Sequence, residues 1–168
     1  MKNKYIFGLL LFSVFIGCTS MDPAPEEDSN IATPATSTNT PQPVDQKKLI
    51  EDYVKKNKLK GGFMPSGLYV VVDAVGTGDF PTSKSTVKVE YTGYLLDGTK
   101  FDGTTSGSPI EFGLNQVIAG WTEGIAMFKK GGKGKLIIPS NLGYGAGGQG
   151  PIPPNSVLVF DVFLVDFK

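Results

Sequence analysis

The sequence predicts an α+β domain, an antiparallel β-sheet with one short helix on its apolar face, preceded by three segments of different composition. Three observations carry this. Between Gly62 and Lys168 the apolar residues fall in short runs of strand character, several with period-2 alternation. Only one stretch in that region, Trp121 to Lys129, has helical spacing, with Trp121, Ile125 and Phe128 at i, i+4 and i+7. Ahead of it the composition changes abruptly at Cys18 and again at Asp45.

The chain starts Met1-Lys2-Asn3-Lys4, a basic cluster, followed by the apolar run Tyr5 to Ile16, broken only by Gly8 and Ser13. Twelve residues are too few to span a bilayer as a helix but suit the h-region of an export signal. The run closes Phe15-Ile16-Gly17-Cys18, a lipobox-like order with the chain's one cysteine at its end. Residues 1–17 therefore read as a lipoprotein signal peptide and Cys18 as a lipidation site. Thr19 to Val44 holds 5 Pro and 8 Ser or Thr, and its charges are all acidic: Asp22, Glu26, Glu27 and Asp28. Burial there cannot offset ordering entropy, so residues 18–44 are expected to be a disordered tether with a reach on the order of 25–30 Å.

Asp45 has the chemistry of a helix N-cap, and Leu49, Ile50, Tyr53 and Val54 form one apolar stripe behind it. Val44 and Leu49 sit at staple spacing, and Glu51–Lys55 and Asp52–Lys56 are the expected i,i+4 ion pairs. This helix, in the segment 45–61, should end near Asn57 and act as a prop on the next domain. Residues 62–168 form that domain. Leu68 to Ala74 is a strand, and Val87, Val89 and Tyr91 alternate with Lys88, Glu90 and Thr92 along another. Asp97-Gly98 signals a hairpin turn. Lys135 to Ile138 is a short strand that Pro139 ends. Val157 to Phe167 is apolar on both faces except at Asp161 and Asp166, which predicts a strand inside the sheet covered on both sides. Gly124 weakens the helix at Trp121 to Lys129.

Composition excludes much chemistry. Lysine supplies all 16 basic residues, with no arginine, against 16 Asp plus Glu, and there is no histidine. Ser-His-Asp and Cys-His catalysis and imidazole metal ligation are ruled out, and one cysteine cannot form an internal disulfide. Balanced charge offers nucleic acid no broad attraction. Gly143 to Gly148 matches GxGxxG, but Pro151-Ile152-Pro153-Pro154 follows it, where a dinucleotide site needs a helix. Asp102 and Glu111 could be a glycosidase pair, yet one structural Asp and one solvated Glu is the simpler reading. The aromatics Tyr91, Phe101, Phe112, Trp121, Tyr144 and Phe160 include several beside glycines or at strand ends, a placement that lines a cavity rather than fills one.

Six motifs run in order: Val89-Glu-Tyr-Thr-Gly-Tyr-Leu, Asp97-Gly-Thr-Lys-Phe-Asp102, Gln116-Val-Ile-Ala-Gly-Trp-Thr-Glu-Gly124, Leu142-Gly-Tyr-Gly145, Ile152-Pro-Pro-Asn155 and Leu158-Val-Phe-Asp161. From about Gly67 to Lys168 the chain resembles the FKBP-type peptidyl-prolyl isomerases, in particular their bacterial envelope lipoprotein members. The resemblance implies a sheet wrapped around a short helix with the active site in the apolar cleft between them. Trp121 would form the pocket floor and Tyr91, Phe112 and Phe160 its walls. Phe101 and Asp102 would be the Phe-Asp pair, Val117 and Ile118 the edge before the helix, and Tyr144 and Ile152 the flap. The Ile118 N–H and Tyr144 hydroxyl would donate to substrate carbonyls. Two departures bear on substrate and macrolide preference at the rim. Ile110 stands where many members place an aromatic, and the Gly147 to Pro151 stretch is one residue shorter, with Gln149 near a frequent His.

The resemblance implies X-Pro isomerisation in exported proteins, no cofactor, Pro-containing polypeptides as substrates and macrolides of the rapamycin type as ligands. It goes with a monomer anchored outside the cytoplasm through lipid on Cys18. A non-catalytic binding module or chaperone for Pro-containing segments is the alternative. Asp102 is expected ionised and bonded to a hydroxyl such as that of Tyr91.

Overall fold

The structure, a computed structural model, describes residues 45–168. The signal peptide, Cys18 and the tether lie outside the described residues. Among those described, no helix is long and apolar enough to cross a membrane.

Helix α1 spans Gln46–Lys56. Asp45 caps it by accepting from the Lys48 N–H, and Lys55 and Lys56 in its last turn complement the exposed carbonyls. The apolar stripe is narrower than expected. Ile50 is fully buried, Tyr53 and Val54 pack partly, and Leu49 faces out at 37% exposure. The ion pairs also differ, since Lys47–Glu51 (4.0 Å) and Lys48–Asp52 (3.2 Å) form in place of Glu51–Lys55 and Asp52–Lys56. All four charges are exposed, so little energy decides which partner is taken.

Seven strands follow: β1 (Gly62–Phe63), β2 (Tyr69–Ala74), β3 (Thr86–Leu95), β4 (Lys100–Gly103), β5 (Ile110–Gly113), β6 (Lys133–Ile138) and β7 (Leu158–Phe167). They form one antiparallel sheet in the order β1-β2-β6-β7-β3-β4, with β5 on the other half of the β3 edge. The Leu95 and Thr99 backbones close the expected hairpin around Asp97-Gly98. β7 lies inside the sheet between β6 and β3, as its composition predicted. Leu158, Phe160, Val162 and Leu164 enter the main core, which Val87, Val89 and Leu136 share. On its other face only the first part is covered: Val159 joins Val71, Ile137 and Ile50 beneath α1, while Phe163 further along is 37% exposed. One helix of eleven residues is too short to cover both ends of a ten-residue strand's sheet.

Helix α2 spans Ala119–Ile125, two residues earlier than expected at its start and four at its end. After Ile125 the bonding tightens to i−3, with the Met127 N–H donating to Gly124 and the Phe128 N–H to Ile125; the Lys129 N–H then donates to the Val75 carbonyl at 2.7 Å, and Phe128 reaches the core from this turn. Its glycines are a packing requirement. A Cβ on Gly120 would lie 2.5 Å from Ile138 Cγ2, and one on Gly124 would lie 2.6 Å from Leu136 Cδ2. Removing both lets α2 settle directly on β6, which brings Trp121 down to the sheet.

Candidate active site

A cleft of about 550 Å³ opens between α2 and the sheet. Trp121, 5% exposed, is its floor. Tyr91 of β3 meets the indole edge-on at 4.9 Å and 86°, Phe160 of β7 does so at 5.1 Å and 87°, and Phe112 of β5 tilts against it at 5.3 Å. Phe101 of β4 stands edge-on to Phe160 at 5.5 Å. That last pair depends on Gly93 of β3, which pairs with Asp102 on one side and Phe160 on the other. A Cβ there would fall 2.6 Å from the Phe101 ring and 2.9 Å from the Phe160 ring. Such edge-to-face sets match ring edges to π-faces and hold their geometry well.

Among the described residues Asp102 is the one charged side chain on the lining, and it is committed. Its Oδ2 accepts from the Tyr91 hydroxyl at 2.5 Å and its Oδ1 from the Gly103 N–H at 2.8 Å. Burial, then this bond, then the Asp102 charge push the Tyr91 hydroxyl well above the ordinary tyrosine range. Burial, then the same charge, also raises Tyr144, which stands at the mouth 38% exposed. Both phenols therefore stay protonated near neutrality. The Ile118 carbonyl accepts from Trp121 and Thr122 as α2 begins, whereas its N–H has no partner among the described residues. The Trp121 Nε1–H is buried without a hydrogen bond among the described residues. The site thus offers an apolar volume and a few aimed donors.

Of the residues singled out from sequence, Tyr91, Phe101, Asp102, Ile110, Phe112, Val117, Ile118, Trp121, Tyr144 and Phe160 all lie on this cleft. Ile110 is at the open rim, 43% exposed. Ile152 is not on the lining; at 6% exposure it packs into the main core, bridged by its backbone to Gln149. Gln116 joins the lining unforeseen, because a polar residue in a short 3₁₀ turn carries no periodic signal. Gly93 was legible only as part of a motif. A second concavity of about 370 Å³ is lined by Asp73, Glu90, Lys133 and Asp161 together with Tyr91, Val162, Phe163 and others, and Asp161 there is paired with Lys135.

Residues 78–165 match the family described as FKBP-type peptidyl-prolyl cis-trans isomerase. The chain belongs to that family. Among relatives of this FKBP-type chain, FkpA of Aeromonas hydrophila is 49% identical over 125 residues, 73% of this chain and 47% of that protein. The outer membrane protein MIP of Legionella longbeachae is 44% identical over 69% of this chain and 52% of its own length. The chain spans about half the length of the curated relatives it matches. Its fold is similar to the crystal structure of FkpA from Escherichia coli, with TM-score 0.67 and 48% identity over 73% of this chain and 59% of that one. A peptidyl-prolyl isomerase from Pseudomonas syringae aligns with TM-score 0.64 and 35% identity, covering 72% and 92%.

Proposed function

We propose that this chain is a peptidyl-prolyl cis-trans isomerase whose aromatic cleft takes an X-Pro segment and accelerates rotation of its peptide bond. The observation that carries this is the cleft's polarity: three rings packed on Trp121, Phe101 and Tyr144 beyond them, and one carboxylate already committed to Tyr91 and Gly103. The planar X-Pro amide is held by resonance charge separation, and rotation meets a barrier of ~18–20 kcal/mol. Twisting destroys that separation, so the twisted state is less polar than the planar one. A dry apolar pocket disfavours the planar form relative to the twisted form. Going from ~0.01 per second to ~10³ per second requires about 7 kcal/mol, and desolvation with two or three oriented donors is of that order. In this reading the prolyl ring sits on Trp121, and the Ile118 N–H and Tyr144 hydroxyl donate to carbonyls of the substrate. Macrolides of the rapamycin type would compete for the same volume.

The lipobox-like Phe15-Ile16-Gly17-Cys18 and the following tether support a lipid anchor in a bacterial cell envelope, with clients among exported proteins. An isomerisation assay on short peptides with Leu or Phe before Pro tests the activity. A rate increase proportional to enzyme is expected, and saturable binding without any rate would replace this reading by a binding module. Membrane fractionation of Cys18→Ser tests the anchor, since equal retention with wild type would overturn it.

A further inference from the structure

The loop that carries Tyr144 runs from Ser140 to Asn155, the Asn at its far end having φ 56°. Gln46, the first residue of α1 and 94 positions before Ser140, reaches both ends of this loop. Its Oε1 accepts from the Ser140 N–H at 2.7 Å. Its Nε2 donates to Ser140 Oγ at 2.8 Å and to the Asn155 carbonyl at 3.0 Å. The amide's orientation is determined, since only its oxygen can accept from the Ser140 N–H. Ser140 is the buried polar side chain of the described residues, so the two bonds to it lie in a partly desolvated place where they are costly to lose, while the bond to Asn155 is exposed.

Two short paths lead from this clamp to the cleft. The Ser140 carbonyl accepts from the Gly143 N–H at 3.0 Å, and the Asn155 N–H donates to the Gly145 carbonyl at 2.9 Å. Gly143 and Gly145 are the residues on either side of Tyr144. Four glycines between 143 and 148 leave the loop with little stiffness of its own, so its end points carry much of its order. We propose that Gln46 is a positioning residue for Tyr144, holding both stems of the loop so that the hydroxyl stands at the cleft mouth. The N-terminal helix is then part of the isomerase site's support and not only a cover for the sheet. The inference rests on the proposed activity for its kinetic consequence, but its structural half stands without it.

Gln46→Met keeps the side chain's length and loses all three bonds, whereas Gln46→Glu keeps the acceptor for Ser140 and loses the donor to Asn155. In the full chain Gln46→Met is expected to lower kcat/KM for an X-Pro peptide about three- to tenfold, and Gln46→Glu by less. In a Tyr144→Phe background the same substitution should cost less than twofold, because the group it positions is gone. Hydrogen exchange at the Gln149, Ile152 and Asn155 amides should speed up in Gln46→Met while β6 and β7 amides stay protected. An equal activity loss in both backgrounds, or exchange that rises across the whole sheet or not at all, would overturn the proposal. If wild type shows no isomerase activity, the functional reading fails and the exchange measurement alone decides the clamp.

Discussion

Truncating Trp121 tests whether the ring at the base of the cleft is structural as well as functional. It is 5% exposed, belongs to the main core and touches three other rings at centroid distances of 4.9–5.3 Å. Removing a buried Trp side chain costs ~3–5 kcal/mol, a range that already includes the cavity left behind. Its unbonded Nε1–H works the other way, because losing an unsatisfied buried donor returns ~1–3 kcal/mol. Trp121→Ala should therefore fall below that range, at about 2 kcal/mol. At ~3–5 °C per kcal/mol for a domain of this size, the melting temperature should drop by about 6–10 °C. Phe101 is half-buried and has one ring partner, Phe160, so Phe101→Ala should cost only ~1–1.5 kcal/mol, or about 5 °C. Both variants should lose isomerase activity, but Phe101→Ala should lose more activity per degree of melting. Thermal melts followed by circular dichroism, with the peptide assay run at 10 °C on the same samples, decide it. A larger melting loss for Phe101→Ala than for Trp121→Ala would refute the assignment of Trp121 as the floor. Trp121→Phe adds a control: it removes the orphan donor and keeps a ring, and should melt within a few degrees of wild type.

Because Tyr91 and Tyr144 are both raised above the ordinary tyrosine value, kcat/KM should be nearly flat from about pH 6 to 9, unlike the bell of an acid–base enzyme. The same shifts favour the folded state below about pH 10, the unfolded tyrosine value, and that contribution is lost as pH rises toward the folded value of Tyr91. A pH series of melts should show the alkaline decline, and a sharp limb in the neutral activity profile would contradict the proton-free mechanism. Tyr144→Phe removes one donor and should lower kcat/KM by at most about tenfold with an unchanged melting temperature; complete inactivation would show a larger role. Gly124→Ala improves intrinsic helix propensity by about 1 kcal/mol, yet its Cβ meets the fully buried Leu136, where overpacking costs ~1–3 kcal/mol. The melting temperature should fall, and a rise would mean that Leu136 has room to move.

Much of the architecture was determined locally and so could be read from the chain. Alternation along Val87 to Thr92, the Asp97-Gly98 turn and the apolar Val157 to Phe167 specify strands and a hairpin by the chemistry of neighbouring residues. Asp45 caps α1 because an N-cap needs only a carboxylate and the next turn's N–H groups. The aromatic and Asp102 positions were legible for a different reason, as ordered motifs that resemble a family. Decisions involving residues far apart were not legible. Gly124 reads as a weak point of a helix, and Gly93 and Gly120 as no more than parts of motifs; only the approach of Leu136, Phe101 and Ile138 turns each into a place where a side chain cannot fit. Ile152 packs in the core and not on the cleft, its backbone bridged to Gln149, and Gln116 reaches the lining from the surface end of a 3₁₀ turn whose Leu114 is buried. Leu49 faces out because Ile50 is the residue of α1 buried against Val71, Ile137 and Val159. Local sequence dictates which elements form, since propensity, capping and turns act over a few residues. The tertiary structure alone dictates which faces touch and what Gln46 can reach, since close packing is a property of surfaces brought together from distant parts of the chain.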